Sequence, residues 1–323
     1  MSRRPVRHVP KDSSRRRVWV YAAVSAFILF DVALIAFALG TTKADADVAP
    51  GVVPTPSSSV TSTPSASPVP EAAAVAASTI VAVPATRLLS AVDGTTAWRA
   101  TTGTCPAAVA SPEVTTDSGA TWTTTDATGP TDVTSVQALS AQSGSVVEIV
   151  GLDIADCAPE FVKTFVGGDN FRAYPGQLDD QWYVDPANRA EVHAPSGASP
   201  APCDAVLALA PRGPAAAAAL CDGDQLFVTT DGAATWSPPV SLPGTVNLAS
   251  TETGYVAAVA GAAGCSGVQI QALSPELAAT VSGCLAVAGD LAGNVALSSA
   301  GGTLWVWAGD TVARSADAGA TWQ

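Results

Sequence analysis

Thr115-Thr116-Asp117-Ser118-Gly119-Ala120-Thr121-Trp122 is the first of three related octapeptides in this chain. It returns as Thr229-Thr230-Asp231-Gly232-Ala233-Ala234-Thr235-Trp236 and as Ser315-Ala316-Asp317-Ala318-Gly319-Ala320-Thr321-Trp322. The shared pattern is S/T-x-D-x-G-x-T-W, with Ala233 departing at the glycine position. Each residue type suits a tight β-hairpin. An Asp carboxylate and the hydroxyl before it accept hydrogen bonds from turn amides, glycine tolerates a positive φ, and tryptophan packs the start of the next strand onto a core.

The spacing extends this local reading to the whole fold. Asp117 and Asp231 are 114 residues apart, or three steps of 38, and Asp231 and Asp317 are 86 apart, or two steps of 43. A propeller blade takes ~40–45 residues, so the spacing predicts an all-β propeller of about six four-stranded blades. A decayed copy fits between the first two: in Thr164-Phe165-Val166-Gly167-Gly168-Asp169-Asn170-Phe171 the hydroxyl, a glycine and the terminal aromatic hold register while Val166 replaces Asp. Because the last copy stands just before Gln323, the segment near 78–92 is expected to supply the final strand and close the ring.

On these motifs the chain resembles the Asp-box (BNR) propellers: bacterial neuraminidase repeats, sortilin-type receptors and photosystem II assembly factors. The resemblance implies that each box joins the third and fourth strands of a blade at the propeller's periphery. It also implies structural, non-catalytic roles for Thr115, Asp117, Gly119, Trp122, Thr229, Asp231, Trp236, Ser315, Asp317, Gly319 and Trp322.

Around the repeats, residues 85–323 alternate short Val/Ala/Leu/Thr runs, such as RLLSAV, SVVEIVGL, QLFVTT and TLWVWAG, with Gly, Pro, Asp and Ser breaks. Runs this short favour strands, although the alanine content blurs periodicity. Pro175–Pro202 shows no repeat and reads as a truncated blade or an insertion. All six cysteines, Cys105, Cys157, Cys203, Cys221, Cys265 and Cys284, lie in this part of the chain. An even count suggests disulfides, and hairpin-length separations favour Cys203–Cys221 and Cys265–Cys284, leaving Cys105 with Cys157. Without a C-x-x-C, and with His193 as the only histidine in this part, no metal site is expected.

Ahead of the repeats stand three further segments. Residues 1–17 form a basic tail, and Val18–Gly40 is a 23-residue apolar run with one charge, Asp31. At ~1.5 Å per residue that run spans a ~30 Å hydrocarbon core, and the basic residues before it place the N-terminus in the cytoplasm. A signal peptide cleaved after Ala46, or a twin-Arg signal at Arg15-Arg16-Arg17, is the rival reading, but a signal core usually runs only ~7–15 residues. Asp31 near mid-span suggests a contact with a second transmembrane helix. Residues 41–84 are rich in Pro, Ser and Thr and read as an extended stalk. The chain is therefore expected to be a single-pass cell-membrane protein with its C-terminal domain extracytoplasmic. Of the 28 acids only Asp12 and Asp31 precede residue 41, leaving 26 against eight bases beyond it. Nucleic acid is an unfavourable partner for such a surface.

Catalytic signals are sparse. Sialidase chemistry needs an arginine triad, but the outer chain holds six scattered arginines, and Phe171-Arg172-Ala173-Tyr174-Pro175 only echoes the family's F/Y-R-I-P motif. No G-x-S-x-G elbow or H-E-x-x-H helix occurs. The stretch holding Asp179, Asp180, Trp182 and Asp185 offers oxygen ligands and an aromatic ring but lacks a calcium-loop register. Trp305 and Trp307, two apart on one strand, point to one face, either as a ligand platform or as packing between blades. No catalytic residue or cofactor is assigned. The sequence favours a binding or assembly scaffold for a protein or cell-envelope glycan. The alternative is a glycoside hydrolase using paired carboxylates on channel loops.

Overall fold

The computed structural model describes residues 80–323; the basic tail, the apolar span 18–40 and the stalk as far as residue 79 lie outside the described residues. Among the described residues no helix is long and apolar enough to cross a membrane. The first blade comprises β1 (Arg87–Ala91), β2 (Ala97–Thr101), β3 (Glu113–Thr115) and β4 (Thr123–Thr124), hydrogen-bonded in that order. The second comprises β5 (Val133–Ala141), β6 (Val147–Asp153), β7 (Pro159–Thr164) and β8 (Phe171–Ala173). A two-stranded hairpin, β9 (Glu191–Ala194) and β10 (Gly197–Pro200), follows. The third blade is β11 (Val206–Pro211), β12 (Ala217–Cys221), β13 (Gln225–Thr229) and β14 (Val240–Ser241). The fourth is β15 (Thr245–Ser250), β16 (Tyr255–Ala260), β17 (Gly267–Leu273) and β18 (Ala279–Ala286), and the fifth is β19 (Val295–Ala300), β20 (Thr303–Ala308) and β21 (Thr311–Ser315).

The propeller thus has five blades, not six. The 114-residue interval contains the second blade, the β9–β10 hairpin and the third blade, so its division into equal steps was a coincidence of lengths. The hairpin is a blade remnant: Tyr183 bridges to His193 on β9, giving an inner position, a second and a third strand, but no fourth.

The core lies between blades. The fully buried sequences AAALC of β12 and YVAAVA of β16 show why alanine is so common: both faces of a second strand meet a neighbouring blade, and small side chains let the sheets approach closely. Three disulfides, Cys105–Cys157, Cys203–Cys221 and Cys265–Cys284, join the pairs that spacing favoured.

Ring closure differs from expectation. Residues 87–91 do not complete the last blade; they form the innermost strand of the first. The chain is set on that path by Thr86, whose N–H and hydroxyl both donate to Gly293 O, at 2.8 and 2.9 Å, across the end of the fifth blade's inner strand. Beside β21, Gln323 exchanges both backbone hydrogen bonds with Arg314 (2.9 and 3.1 Å). The seam between first and fifth blades is closed by side chains. Leu89, Ala91 and Ala97 pack on Ala296, Trp305 and Trp307, and the Trp305 indole donates to Asp93 O at 2.8 Å. Arg87 and Arg99 stand 4.6 and 4.8 Å from the Trp307 ring, and Arg99 also lies 4.1 Å from Trp122 while pairing with Glu113 at 2.6 Å. Each cation–π contact adds about 0.5–2 kcal/mol in such a partly desolvated setting.

Candidate functional site

The three octapeptides fold into the same turn between third and fourth strand positions. Thr115 Oγ1 donates to Asp117 Oδ1 (2.8 Å) and accepts from the Gly119 amide (3.0 Å). Asp117 in turn accepts from the Thr121 amide (2.9 Å) and hydroxyl (2.5 Å). Thr229, Asp231 and Thr235 repeat these bonds, with Ala233 taking the glycine position at φ 67°, and so do Ser315, Asp317, Gly319 and Thr321. The hydrogen bonds that these carboxylates accept all come from their own turns. Trp322 donates to Cys284 O of the fourth blade (3.2 Å), Trp122 packs into the seam, and the buried Trp236 indole N–H has no partner. Thr164 accepts from Val166 and Gly168 amides (3.2 Å each), so the decayed copy keeps its hydroxyl anchor. The fourth blade has a shortened form that sequence reading missed: Ser274 Oγ accepts from the Glu276 and Ala278 amides, with Leu277 at φ 67°.

Trp305 and Trp307 belong to the seam, at 0 and 9% exposure, so they do not form an open platform. Asp179, Asp180, Trp182 and Asp185 lie in the remnant. Asp179 and Asp180 are exposed at the end of a 3-10 turn (Pro175–Asp180), and Asp185 accepts from the Ala187 amide at 2.8 Å. The Trp182 indole donates to Gly213 O at 2.9 Å. Of the four, Asp180 and Trp182 reach the central cavity.

That cavity, of about 580 Å³, is the concave feature on which all the blades converge. Its wall carries a repeat that the sequence analysis did not detect: Leu89, Leu139, Leu209, Leu248 and Leu297, one from each inner strand. Their phase follows from the ladders. The bonds Val92 N to Thr96 O, Gln142 N to Val146 O, Arg212 N to Ala216 O, Thr251 N to Gly254 O and Gly309 N to Asn294 O place each leucine at a position whose amide and carbonyl face away from the second strand, into the channel. Each leucine side chain joins the cluster shared with the preceding blade or, for Leu209, with the remnant. The signal was present as LLSA, ALSA, ALAP, NLAS and ALSS, but leucine and alanine are too common for five tetrapeptides to stand out.

One end of the channel is covered. Ile80 packs on the cluster of the fourth and fifth blades, Ala82 is buried beside Leu207 and Leu248, and Ala85 lines the cavity before Thr86 reaches Gly293. The chain therefore crosses the end at which inner strands begin, making the channel a cup. Its mouth, at the hairpin end, carries the hydroxyls of Ser90, Ser140, Ser250, Ser298 and Ser299. Ser298 Oγ accepts from the Ala91 amide and Ser90 Oγ from the Ala141 amide, both at 2.9 Å, so part of this ring staples adjacent inner strands.

Charge in the cup is largely engaged. Glu148 pairs with Lys163 at 2.5 Å, and Arg87 donates to Gly309 O and stacks on Trp307. Arg189 donates to Val206 O at 3.0 Å; burial lowers its pKa, and Asp185 acts against that shift. Tyr183 is pushed up to about 12, first by burial and then by Asp185, Asp179 and Glu191, and its ring is covered by His193 with centroids 4.3 Å apart. Away from the cup, burial and the neighbours Asp153 and Asp132 raise the Glu160 carboxyl.

No family model matches the chain, and no curated protein matches it. Among solved structures it is similar to YCF48 bound to D1 peptide, at 20% identity over 76% of this chain and 70% of that one, with a TM-score of 0.28. It is also similar to the lectin of Aleuria aurantia in complex with Fucalpha1-6GlcNAc, at 10% identity over 71 and 91%, with a TM-score of 0.44. A third is the GH74 xyloglucanase of Xanthomonas campestris, at 12% identity over 73 and 37%, with a TM-score of 0.31.

Proposed function

We propose that this chain is a membrane-anchored, extracytoplasmic binding scaffold: an apolar span at 18–40, a stalk from residue 41 that ends where Ile80 and Ala82 pack onto the domain, and a propeller that presents its central cup to an envelope protein or glycan. The observation that carries the reading is the cup itself, built with one leucine from every blade and closed at one end by the chain that enters the domain. Three disulfides in the propeller suit an oxidising compartment. The repeated turns are read as Asp boxes in a structural role, since their carboxylates are spent on local amides and hydroxyls.

A scaffold is favoured over a glycoside hydrolase by the state of the cup's acids. Hydrolysis uses two carboxyl groups ~5–9.5 Å apart, one of them free to donate a proton. The acids lining the cup are Glu148, bound to Lys163, and the exposed Asp180. Affinity capture with the full chain in detergent, from solubilised envelope, tests the reading. Ligands retained by wild type are expected to be lost with Ser140→Tyr, which narrows the mouth. Release of a cleaved glycan product by the wild type would reverse the choice. Protease accessibility of the propeller in intact cells, with the mass of the mature N-terminus, checks the anchored topology.

A further inference from the structure

We propose that the blade remnant takes its missing fourth strand from a partner protein, as an extended segment paired to β10 and received by Trp236. This surface lies on the outer side of the remnant, apart from the cup. The first four blades each carry a fourth strand of their own, β4, β8, β14 and β18. The remnant stops at β10, beside which that strand would stand.

The ladder decides which groups of β10 are free. Ala201 N–H donates to Ala190 O (2.9 Å), and the register continues through Ser199 opposite Val192 and Gly197 opposite Ala194. His193 exchanges both its bonds with Tyr183 (2.9 and 3.1 Å), so it makes none with Ala198. Bonded and unbonded pairs alternate in an antiparallel ladder. Ala198 N–H, Ala198 O and Pro200 O therefore face outward on exposed residues, with no backbone partner among the described residues. Such an edge is a template for another strand, and Gly197–Pro200 carries no charged side chain to repel one.

The second observation is independent and comes from the repeated turns. Trp322 gives its indole N–H to Cys284 O on β18, the fourth strand of the blade before it (3.2 Å). Trp236 holds the same place in its own repeat and packs on the cluster shared by the remnant and the third blade. The strand that would offer a carbonyl is absent there, and the Trp236 N–H is buried without a partner. A buried donor left unpaired is destabilising. Turning the half-buried ring toward an incoming carbonyl, as Trp322 is turned, relieves that penalty.

The occupant's chemistry follows from the same template. Donors and acceptors must recur at strand spacing, as they do along a polypeptide backbone. Ser196 Oγ donates to Gly232 O (2.5 Å) and holds the remnant against the third blade's turn. A strand beside β10 has that turn as its other neighbour, which suits a segment rather than a folded second copy. Side chains facing the turn must be small. On β18 the residue before Cys284 is Gly283, whose Cβ would collide with Gly319 O, and Ala233 holds the Gly319 position in the third blade. The partner segment is therefore extended, with glycine or alanine just before the carbonyl that meets Trp236.

The test uses the full chain immobilised in detergent and a displayed library of linear nonapeptides. Selected peptides are expected to share a glycine or alanine at one position and to slow exchange of the Ala198 amide proton at least about tenfold. Ala198→Pro, which removes that proton, should weaken their binding at least about tenfold, and Ser140→Tyr in the cup should leave it unchanged. Trp236→Phe keeps an apolar ring without the N–H. It should weaken binding about two- to tenfold while melting no lower than wild type, and it keeps the test valid if Ala198→Pro unfolds. Peptides that change neither Ala198 exchange nor their affinity in Trp236→Phe overturn the inference, as does a library that yields none. An Ala198 amide already protected in the free full chain also overturns it, since the edge is then filled by the chain itself or by a second copy.

Discussion

At the scale of single residues, the carboxylates of the three repeated turns carry a testable electrostatic signature. Asp117 and Asp317 are held at about 2, chiefly by the hydroxyls and amides of Thr121 and Thr321, with Thr115 and Ser315 adding to the effect; Asp231 is lowered by the same set. A carboxyl whose folded pKa is depressed stabilises the fold above its unfolded pKa and loses that contribution as pH falls toward the folded value. Thermal melts are therefore expected to drop between about pH 4 and pH 2. Asp317→Asn should melt lower at neutral pH and show a shallower acid slope; an unchanged slope would remove this turn from the account. Glu160, raised by burial, acts with the opposite sign and gains on acidification. These turns were legible in the sequence because every bond in them spans at most four residues. The Ser274 turn was not, because Glu276 stands where Asp is expected and the loop is shorter. Nor could spacing decide the fate of Trp305 and Trp307, since one-sided alternation suits a platform and a seam equally.

At the scale of elements, the leucine strands and the outer strands were read with unequal success. Short β runs bounded by Gly and Pro were visible, but which run lies innermost depends on neighbours far away in sequence. The clearest case is 87–91, expected to end the ring and found to begin it. Close approach between elements is equally invisible from sequence. A Cβ at Gly283 on β18 would collide with the backbone of Gly319 and Ala320 in the fifth blade's turn, where no flexible side chain can yield. Gly283→Ala is therefore expected to destabilise the domain by roughly 1–3 kcal/mol, the cost typical of overpacking. Urea unfolding would show it as a lowered midpoint with an unchanged slope. If the midpoint stays put, the fourth and fifth blades are less tightly apposed than described.

At the scale of the whole molecule, the blade count failed for a definite reason. The β9–β10 remnant occupies a blade's place with too few residues to repeat the motif, and its strands pair without a fourth partner. The disulfides were easier, because two of the three close short intervals of 18 and 19 residues. The Arg–Trp seam has a consequence for how the domain comes into being. Trp305 reaches back 212 residues to Asp93, so the face made by Leu89, Ala91 and Ala97 waits uncovered until nearly the whole chain has been synthesised. Contacts of such separation form late, and partly folded chains with bare apolar faces are prone to associate wrongly. A chain stopped after Gly302 is expected to bind more of a hydrophobic dye than the full chain does, both carrying the same apolar run at 18–40. The last blade is thus a timekeeper: its arrival separates a vulnerable nascent chain from a finished ring.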